Sequence, residues 1–490
     1  MNRRHWPIWL GGAALVLVAH GLAQAAGGEG GHADPFAPFL LELAVVVLAA
    51  AVGRRLARFA GQPAVLGELV IGVIIGNVGY WLRVPVSVLL MHWDQVGKLA
   101  VKTWDTHLTI AEAAAQVFSP AQLAPGAIGA RLVDALSGNN GAHWLAMTFV
   151  IWLLSNLGVT LLLFMVGMES SVEELVRVGA RALAIAVIGI IGPFAAGFVT
   201  TAVMLPGAPL AVDLFVGATL SATSVGITAR VFQDLRRLTS PEARLILGAA
   251  VIDDVLGLIV LAVVAGVVAT GSIHLGEVAR IALFSTLFMA AVILIGDRVA
   301  RTLVRLFRRL EPTQTRLLFA LTLAFLMGWL ANLIGLATIV GAFAAGLIVG
   351  ERHFASGESA AEGREETVHG LVAPLEQIFA PVFFLLMGMQ VNLSSFAKPG
   401  TLALAAVLTI AAFVGKVVCG VAAGPVDRLS VGLGMVPRGE VGLIFASVGK
   451  GLGVIDDALF SAVVIMVMVT TMITPIALKW SLGRRPAPAT

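Results

Sequence analysis

The chain has 490 residues, is 58% hydrophobic and only 12% charged, and carries a formal net charge of +3. Soluble domains average about 25% charged residues. A soluble enzyme with one anchor is therefore excluded in favour of a polytopic membrane protein surrounded by lipid, and the small net charge gives no footing for a nucleic-acid partner. The single cysteine, Cys419, excludes an intrachain disulfide, a zinc cluster and an iron–sulfur cluster.

The first 25 residues read as a secretory signal peptide: basic Arg3, Arg4 and His5, an apolar core Ile8–Leu22, and the small-residue motif Ala23-Gln24-Ala25. The alternative is an uncleaved first helix. Residues 26–36 form a Gly-rich, flexible N-terminus. Thirteen apolar segments follow, each long enough to span, for which about 20 residues suffice. They cover 37–58, 65–82, 144–168, 181–205, 212–235, 243–270, 277–308, 313–333, 335–351, 369–392, 400–424, 429–451 and 456–482. Residues 37–482 thus make one transmembrane domain, followed by a tail at 483–490. Odd-numbered spans exit into basic loops, as with Arg54, Arg55 and Arg58 after the first and Arg236, Arg237 and Arg244 after the fifth, whereas Leu205–Val212 and Thr270–Gly276 carry no Lys or Arg. The excess of Lys and Arg on one side places the N-terminus outside and the C-terminus in the cytoplasm.

Residues 83–143 form a long extracytoplasmic insertion in which Met91–Val101 and Ile110–Val117 are expected to be short amphipathic helices on the membrane surface. The loop at 351–368 is polar, Glu-rich and cytoplasmic. A short internal repeat links Phe164-Met-Val-Gly-Met168 to Phe384-Leu-Leu-Met-Gly-Met389. The copies lie an odd number of spans apart, so the halves are inverted, and inverted repeats place a binding site at their interface near the midplane.

Asp253 and Asp254 lie in the middle of the apolar segment Leu245–Val268. Each carboxylate at that depth costs roughly 2.5–3.5 kcal/mol on insertion scales, and an intramembrane acid reads by default as an ion or proton site. As neighbours they point about 100° apart on a helix, so one can face a cavity while the other faces a packed partner. Lys416, mid-span in the eleventh segment, is a candidate counter-charge from the opposite half of the chain; its alternative is a lysine that snorkels to an interface. Two segments look broken. One holds Ser221, Thr223, Ser224, Gly226 and Thr228; the other reads Pro437-Arg-Gly-Glu-Val-Gly442. Pro removes a backbone donor and Gly favours a break, and irregular backbone at that depth is tolerated only against protein or water. Arg438 and Glu440 are expected to form structural ion pairs, with each other or with Arg230 and Glu68. No nucleophile–base set, Walker loop or metal-ligand spacing is present, which points away from an enzyme, and no cofactor is required beyond transported ions.

Together Val65-Leu-Gly-Glu68, Ala222-Thr-Ser-Val-Gly-Ile-Thr-Ala-Arg230, Val251-Ile-Asp-Asp-Val255, Gly415-Lys416 and Pro437-Arg-Gly-Glu-Val-Gly442 resemble bacterial cation:proton antiporters of the second antiporter family, the NapA, GerN and Kef type. The resemblance covers about 37–482. It implies an all-α, NhaA-like antiporter fold with inverted repeats, two discontinuous crossing helices, and an elevator-like core moving against a dimerisation domain, hence a homodimer. It implies that Asp254 is the main carrier of Na+ and of the proton, that Asp253 pairs with Lys416, and that Thr223 and Ser224 lie beside the site. Two aspartates with a lysine resemble the electrogenic type, two protons for one Na+, in a bacterial inner membrane, serving Na+ and pH homeostasis. K+/H+ exchange on the same scaffold is the alternative, with a channel or a transport-dead sensor further off; Li+ would share the site. Kef-type relatives often carry a cytoplasmic nucleotide-binding domain after the last span; here the chain stops at Thr490, so gating by that route is not expected.

Overall fold

In the computed structural model of the chain the described residues are 37–138, 140–169, 179–224, 228, 231–232, 237, 240–270, 275–310, 315–334, 336–349, 367–397 and 399–484. The signal-peptide and 26–36 expectations, Gly226, Arg230, most of the 351–368 loop, the side chain of Glu440 and the tail beyond 484 lie outside what is described. Every element among the described residues is helical, and no strand occurs among them. The helices are α1 (Ala37–Phe59), α2 (Ala64–Trp81), α3 (Pro85–Met91), α4 (Trp93–Thr106), α5 (Ile110–Val117), α6 (Ile128–Ser137), α7 (Gly141–Glu169), α8 (Ala180–Met204), α9 (Leu210–Ser221), α10 (Pro241–Thr270), α11 (Leu275–Leu310), α12 (Thr315–Leu333), α13 (Thr338–Ile348), α14 (Val368–Met389), α15 (Pro399–Val417), α16 (Arg428–Gly434), α17 (Glu440–Gly451) and α18 (Asp457–Gly483).

Among the described residues eight helices are long and apolar enough to cross a membrane, against the thirteen spans expected. Of the other five, 37–58 and 277–308 are continuous helices, α1 and α11, that also carry charges such as Arg54 and Arg55 in one and Asp297, Arg298 and Arg301 in the other. The segment at 335–351 shortens to the 11-residue α13. The remaining two, 212–235 and 429–451, are the segments whose polar and Pro-Gly composition signalled a break: α9 stops at Ser221, and α16 and α17 are separated by Met435–Gly439. A half-length helix cannot satisfy a count based on 20-residue apolar runs.

The chain forms two compact units. The first comprises 1–157 with 381–399. There α1 and α2 meet at glycines: a Cβ on Gly67 would fall 1.9 Å from the Gly53 carbonyl oxygen. The end of α14 is fastened to α2 by Asn77, which donates to Val391 O at 2.7 Å and accepts from Leu393 N at 2.9 Å. The insertion belongs to this unit. The expected helices over Met91–Val101 and Ile110–Val117 are α4 and α5, and with α3 and α6 they enclose a core in which Leu89, Val96, Leu99, Ala113, Leu132 and Leu136 are buried. Helix α5 opens with a capping box in which Thr109 and Glu112 exchange hydrogen bonds, and those bonds from the Thr109 hydroxyl and backbone hold the Glu112 carboxyl below its usual range.

The second unit comprises 158–380 with 400–490. Its α7 carries the first copy of the repeat and the first unit's α14 carries the second, and each copy is packed in the same register. A Cβ on Gly167 would fall 2.2 Å from Phe343 O, and one on Gly346 would fall 2.0 Å from Phe164 O. In the first unit a Cβ on Gly388 would fall 2.2 Å from Leu69 O, and one on Gly72 would fall 2.2 Å from Leu385 O. Gly167 follows Phe164, and Gly388 follows Leu385, by three residues; Gly346 follows Phe343, and Gly72 follows Leu69, by three. Both crossings are therefore built on one pattern of backbone contact that only glycine permits.

Candidate functional site

The second unit gathers Asp253, Lys416 and the two broken segments. Asp253 on α10 and Lys416 in the last turn of α15 are 1% and 0% exposed. Lys416 Nζ donates to Asp253 Oδ1 at 2.8 Å, to Gly189 O at 2.7 Å and to Ser221 O at 2.7 Å. An ammonium has three donors and no acceptor, so all three are used.

Each of those carbonyls is available for a local reason. In an α-helix the oxygen of residue i accepts from the N–H of i+4. Four residues after Gly189 stands Pro193, inside α8, and proline has no N–H to give. Ser221 is the last residue of α9, where terminal carbonyls lose their helical donors. Two interruptions of helical bonding thus expose two oxygens that Lys416 takes up. Close packing lets it reach them: a Cβ on Gly415 would fall 2.7 Å from Pro193 Cα, and one on Gly192 would fall 2.6 Å from Gly415 O. A positive charge in the last turn of α15 also complements that helix's dipole.

The broken segments cross. Ser224 N donates to Pro437 O at 2.9 Å, and the Thr228 hydroxyl donates to Gly434 O at 2.6 Å. Arg438 is fully buried. Its guanidinium donates to Ala222 O and, at 3.3 Å, to Ala412 O, while its own carbonyl accepts from the Thr471 hydroxyl. Among the described residues Arg438 therefore binds two backbone carbonyls, one just past the end of α9 and one within α15; its expected pairing with Glu440 falls on a side chain outside the described residues. Glu68 lies in the first unit, where Arg54 Nε approaches it at 3.3 Å.

Asp254 follows Asp253 on α10 and is 8% exposed; Thr223 and Ser224 are 2% and 1% exposed. Among the described residues, Thr223 Oγ1 and Asp253 Oδ2 are buried with no hydrogen-bond partner. Buried polar oxygens in native structures are nearly always satisfied. A hydroxyl oxygen and a carboxylate oxygen are hard donors of the kind a hard cation or a proton takes. Sequence reasoning missed Gly189 and Pro193; the signal was a proline within the apolar span at 181–205.

A buried lysine–aspartate pair, a neighbouring acid and two interrupted segments crossing beside them fit one family whose profile, that of the sodium/hydrogen exchanger transmembrane region, matches residues 43–483. The chain belongs to that family. Among exchanger relatives, the high-affinity Na+/H+ antiporter NhaS3 of Synechocystis is 36% identical over 445 residues, covering 89% of this chain and 88% of its own. The Na+/H+-K+ antiporter GerN of Bacillus cereus is 34% identical over 368 residues, covering 74% of this chain and 91% of its own. The sodium proton antiporter MjNhaP1 of Methanocaldococcus jannaschii, solved at pH 8, aligns with a TM-score of 0.57 at 15% identity over 92% of this chain and 98% of that one. At that identity the likeness is one of fold, and it extends over almost the whole exchanger domain.

Proposed function

We propose that this exchanger is a secondary active monovalent cation:proton antiporter that exchanges Na+ for H+ by alternating access. The observation that supports it most is the fully buried Asp253–Lys416 pair, with Asp254 next in sequence and unsatisfied oxygens on Asp253 itself and on Thr223 of the first broken segment. Asp254 is the carrier, holding either a proton or Na+, helped by Thr223, Ser224 and the freed carbonyls of the first break. Asp253 holds Lys416 while it is ionised and releases it on taking a proton. Two protons exchanged against one Na+ leave one net charge moved per cycle, so exchange is electrogenic. Movement of the loaded site between the two faces follows the logic of repeat-based transporters, and the matched glycine crossings described above support an inverted repeat.

The same reading includes thirteen spans over 37–482, two of them discontinuous, an extracytoplasmic insertion at 83–143, and a cytoplasmic loop at 351–368. It places the chain as a homodimer in a bacterial inner membrane with the N-terminus outside, serving Na+ and pH homeostasis. Purified protein in proteoliposomes with an internal pH dye tests it: added Na+ or Li+ should drive proton movement that saturates with cation. A signal from K+ alone would move the assignment to K+/H+ exchange, and a flux that does not depend on the proton gradient would make the protein a channel.

A further inference from the structure

Helix α9 carries a second buried acid that the site above does not use. Asp213, two turns before the break at Ser221, is 6% exposed and makes no hydrogen bond or ion pair among the described residues; its Oδ1 is fully buried. It does not cap its helix, whose N-cap is Pro209 with no side-chain cap bond. Its surroundings follow from the α8–α9 seam. A Cβ on Gly197 would fall 3.1 Å from Gly217 Cα. The two helices are antiparallel, joined through 205–209, so Asp213, one turn before Gly217, and Thr201, one turn after Gly197, stand at the same level. Thr201 is 0% exposed, and its hydroxyl hydrogen is spent on Gly197 O and Phe198 O, both at 3.1 Å, which leaves its oxygen to accept.

The elements packed against α9 are α8, α10 and α17. At this level α8 (197–204) and the part of α10 beyond Asp254 carry no ionisable residue. The charged group in the last turn of α17 is Lys450, which is held by Asp457 at 3.0 Å and lies 4.7 Å from the Phe460 ring centre, while Glu440 stands at the opposite end of that helix. Asp213 is thus a largely buried carboxylate, one oxygen of it fully enclosed, with no charge partner from any of them among the described residues. It lies about 12 Å along α9 from Ser221, whose carbonyl holds Lys416. It also faces the end of the helix pair that the distribution of Lys and Arg assigns to the outside.

We propose that Asp213, with the Thr201 hydroxyl, is a second station that holds a monovalent cation or a proton between the loop at 205–209 and the Asp253–Asp254 site. This rests on the antiport reading and adds a relay to it. The test compares wild type, Asp213→Asn and Asp213→Glu, purified in detergent and reconstituted in proteoliposomes. Sodium-driven proton flux in Asp213→Asn should show an apparent KM for Na+ raised at least about fivefold, the lower end of measured couplings between sites, with recovery in Asp213→Glu. The midpoint of thermal stabilisation by Na+ in detergent should move the same way, while the melting temperature without Na+ should be unchanged or higher in Asp213→Asn, because a merely structural acid would lower it. Equal stabilisation midpoints in wild type and Asp213→Asn would overturn the proposal. So would a wild type that Na+ does not stabilise, or a destabilised Asp213→Asn with an unchanged KM. Stabilisation that differs between the two proteins without any exchange by wild type would overturn the antiport reading and leave the station standing.

Discussion

Replacing Lys416 by Met removes three hydrogen bonds at once and leaves Asp253 buried without its cation. Breaking a buried pair by removing one partner costs about 3–5 kcal/mol. The orphaned Gly189 and Ser221 carbonyls share in that loss, since an unsatisfied buried acceptor costs about 1–3 kcal/mol. Against a total stability of about 5–15 kcal/mol this is severe. Much of it is Asp253's uncompensated charge, so a second change, Asp253→Leu, should restore part of what the first removed. The double variant is then expected to recover about 2–3 kcal/mol, within the range of coupling energies for residues in contact. Denaturant unfolding of the four proteins of the cycle in mixed micelles measures this directly. A Lys416→Met variant within about 1 kcal/mol of wild type, or a double variant no more stable than Lys416→Met alone, would refute the reasoning, because neither is compatible with a dry, mutually dependent pair.

Further outcomes follow from single features. Pro193→Ala returns an N–H to α8 within reach of Gly189 O, so the helix gains stability while Lys416 loses a partner; sodium-driven exchange in vesicles should fall several-fold in a protein that melts no lower than wild type, and unchanged exchange would disconnect Pro193 from the site. Gly67→Ala puts a Cβ 1.9 Å from Gly53 O and should prevent stable folding, whereas at Gly97, inside α4 with nothing within 4 Å, the same change should stabilise by about 0.5–1 kcal/mol; melting of the two variants reads both signs. Glu112 titrates lower in the folded chain than its ordinary 4.5, so its contribution to the α5 cap is complete above that pH and lost as pH falls through the lower folded value. Hydrogen exchange at the Thr109 and Glu112 amides should accelerate only in that acidic window.

The aspartate pair, Lys416 and both broken segments were legible in the sequence, because a charge, a hydroxyl cluster or Pro-Gly inside an apolar run violates the cost of burial in a way that no folding detail can hide. The number of spans was less legible: α9, α13, α16 and α17 are short, and apolar runs on either side of a break read as one helix. Arg438 was legible as a buried charge but not in its partners, since backbone carbonyls that accept from a side chain leave no mark in composition. Gly189 is the clearer case. Nothing about a glycine in a span announces an acceptor; only the proline four residues on does, and only once a lysine is known to face it. The insertion's two amphipathic helices were legible, but not the core they share with α3 and α6, because amphipathic stripes look alike whether they face lipid or one another. Asp213 drew no notice in the sequence, since an acid near the start of a helix is ordinary until its burial is known.

The most direct test of the central claim is sodium-driven proton movement in proteoliposomes holding wild type or Asp254→Asn, matched for the amount of folded protein. Wild type should release the imposed pH gradient when Na+ is added, and Asp254→Asn should not at any Na+ concentration or pH. Equal sodium-driven flux in the two proteins would contradict the assignment of Asp254 as the carrier.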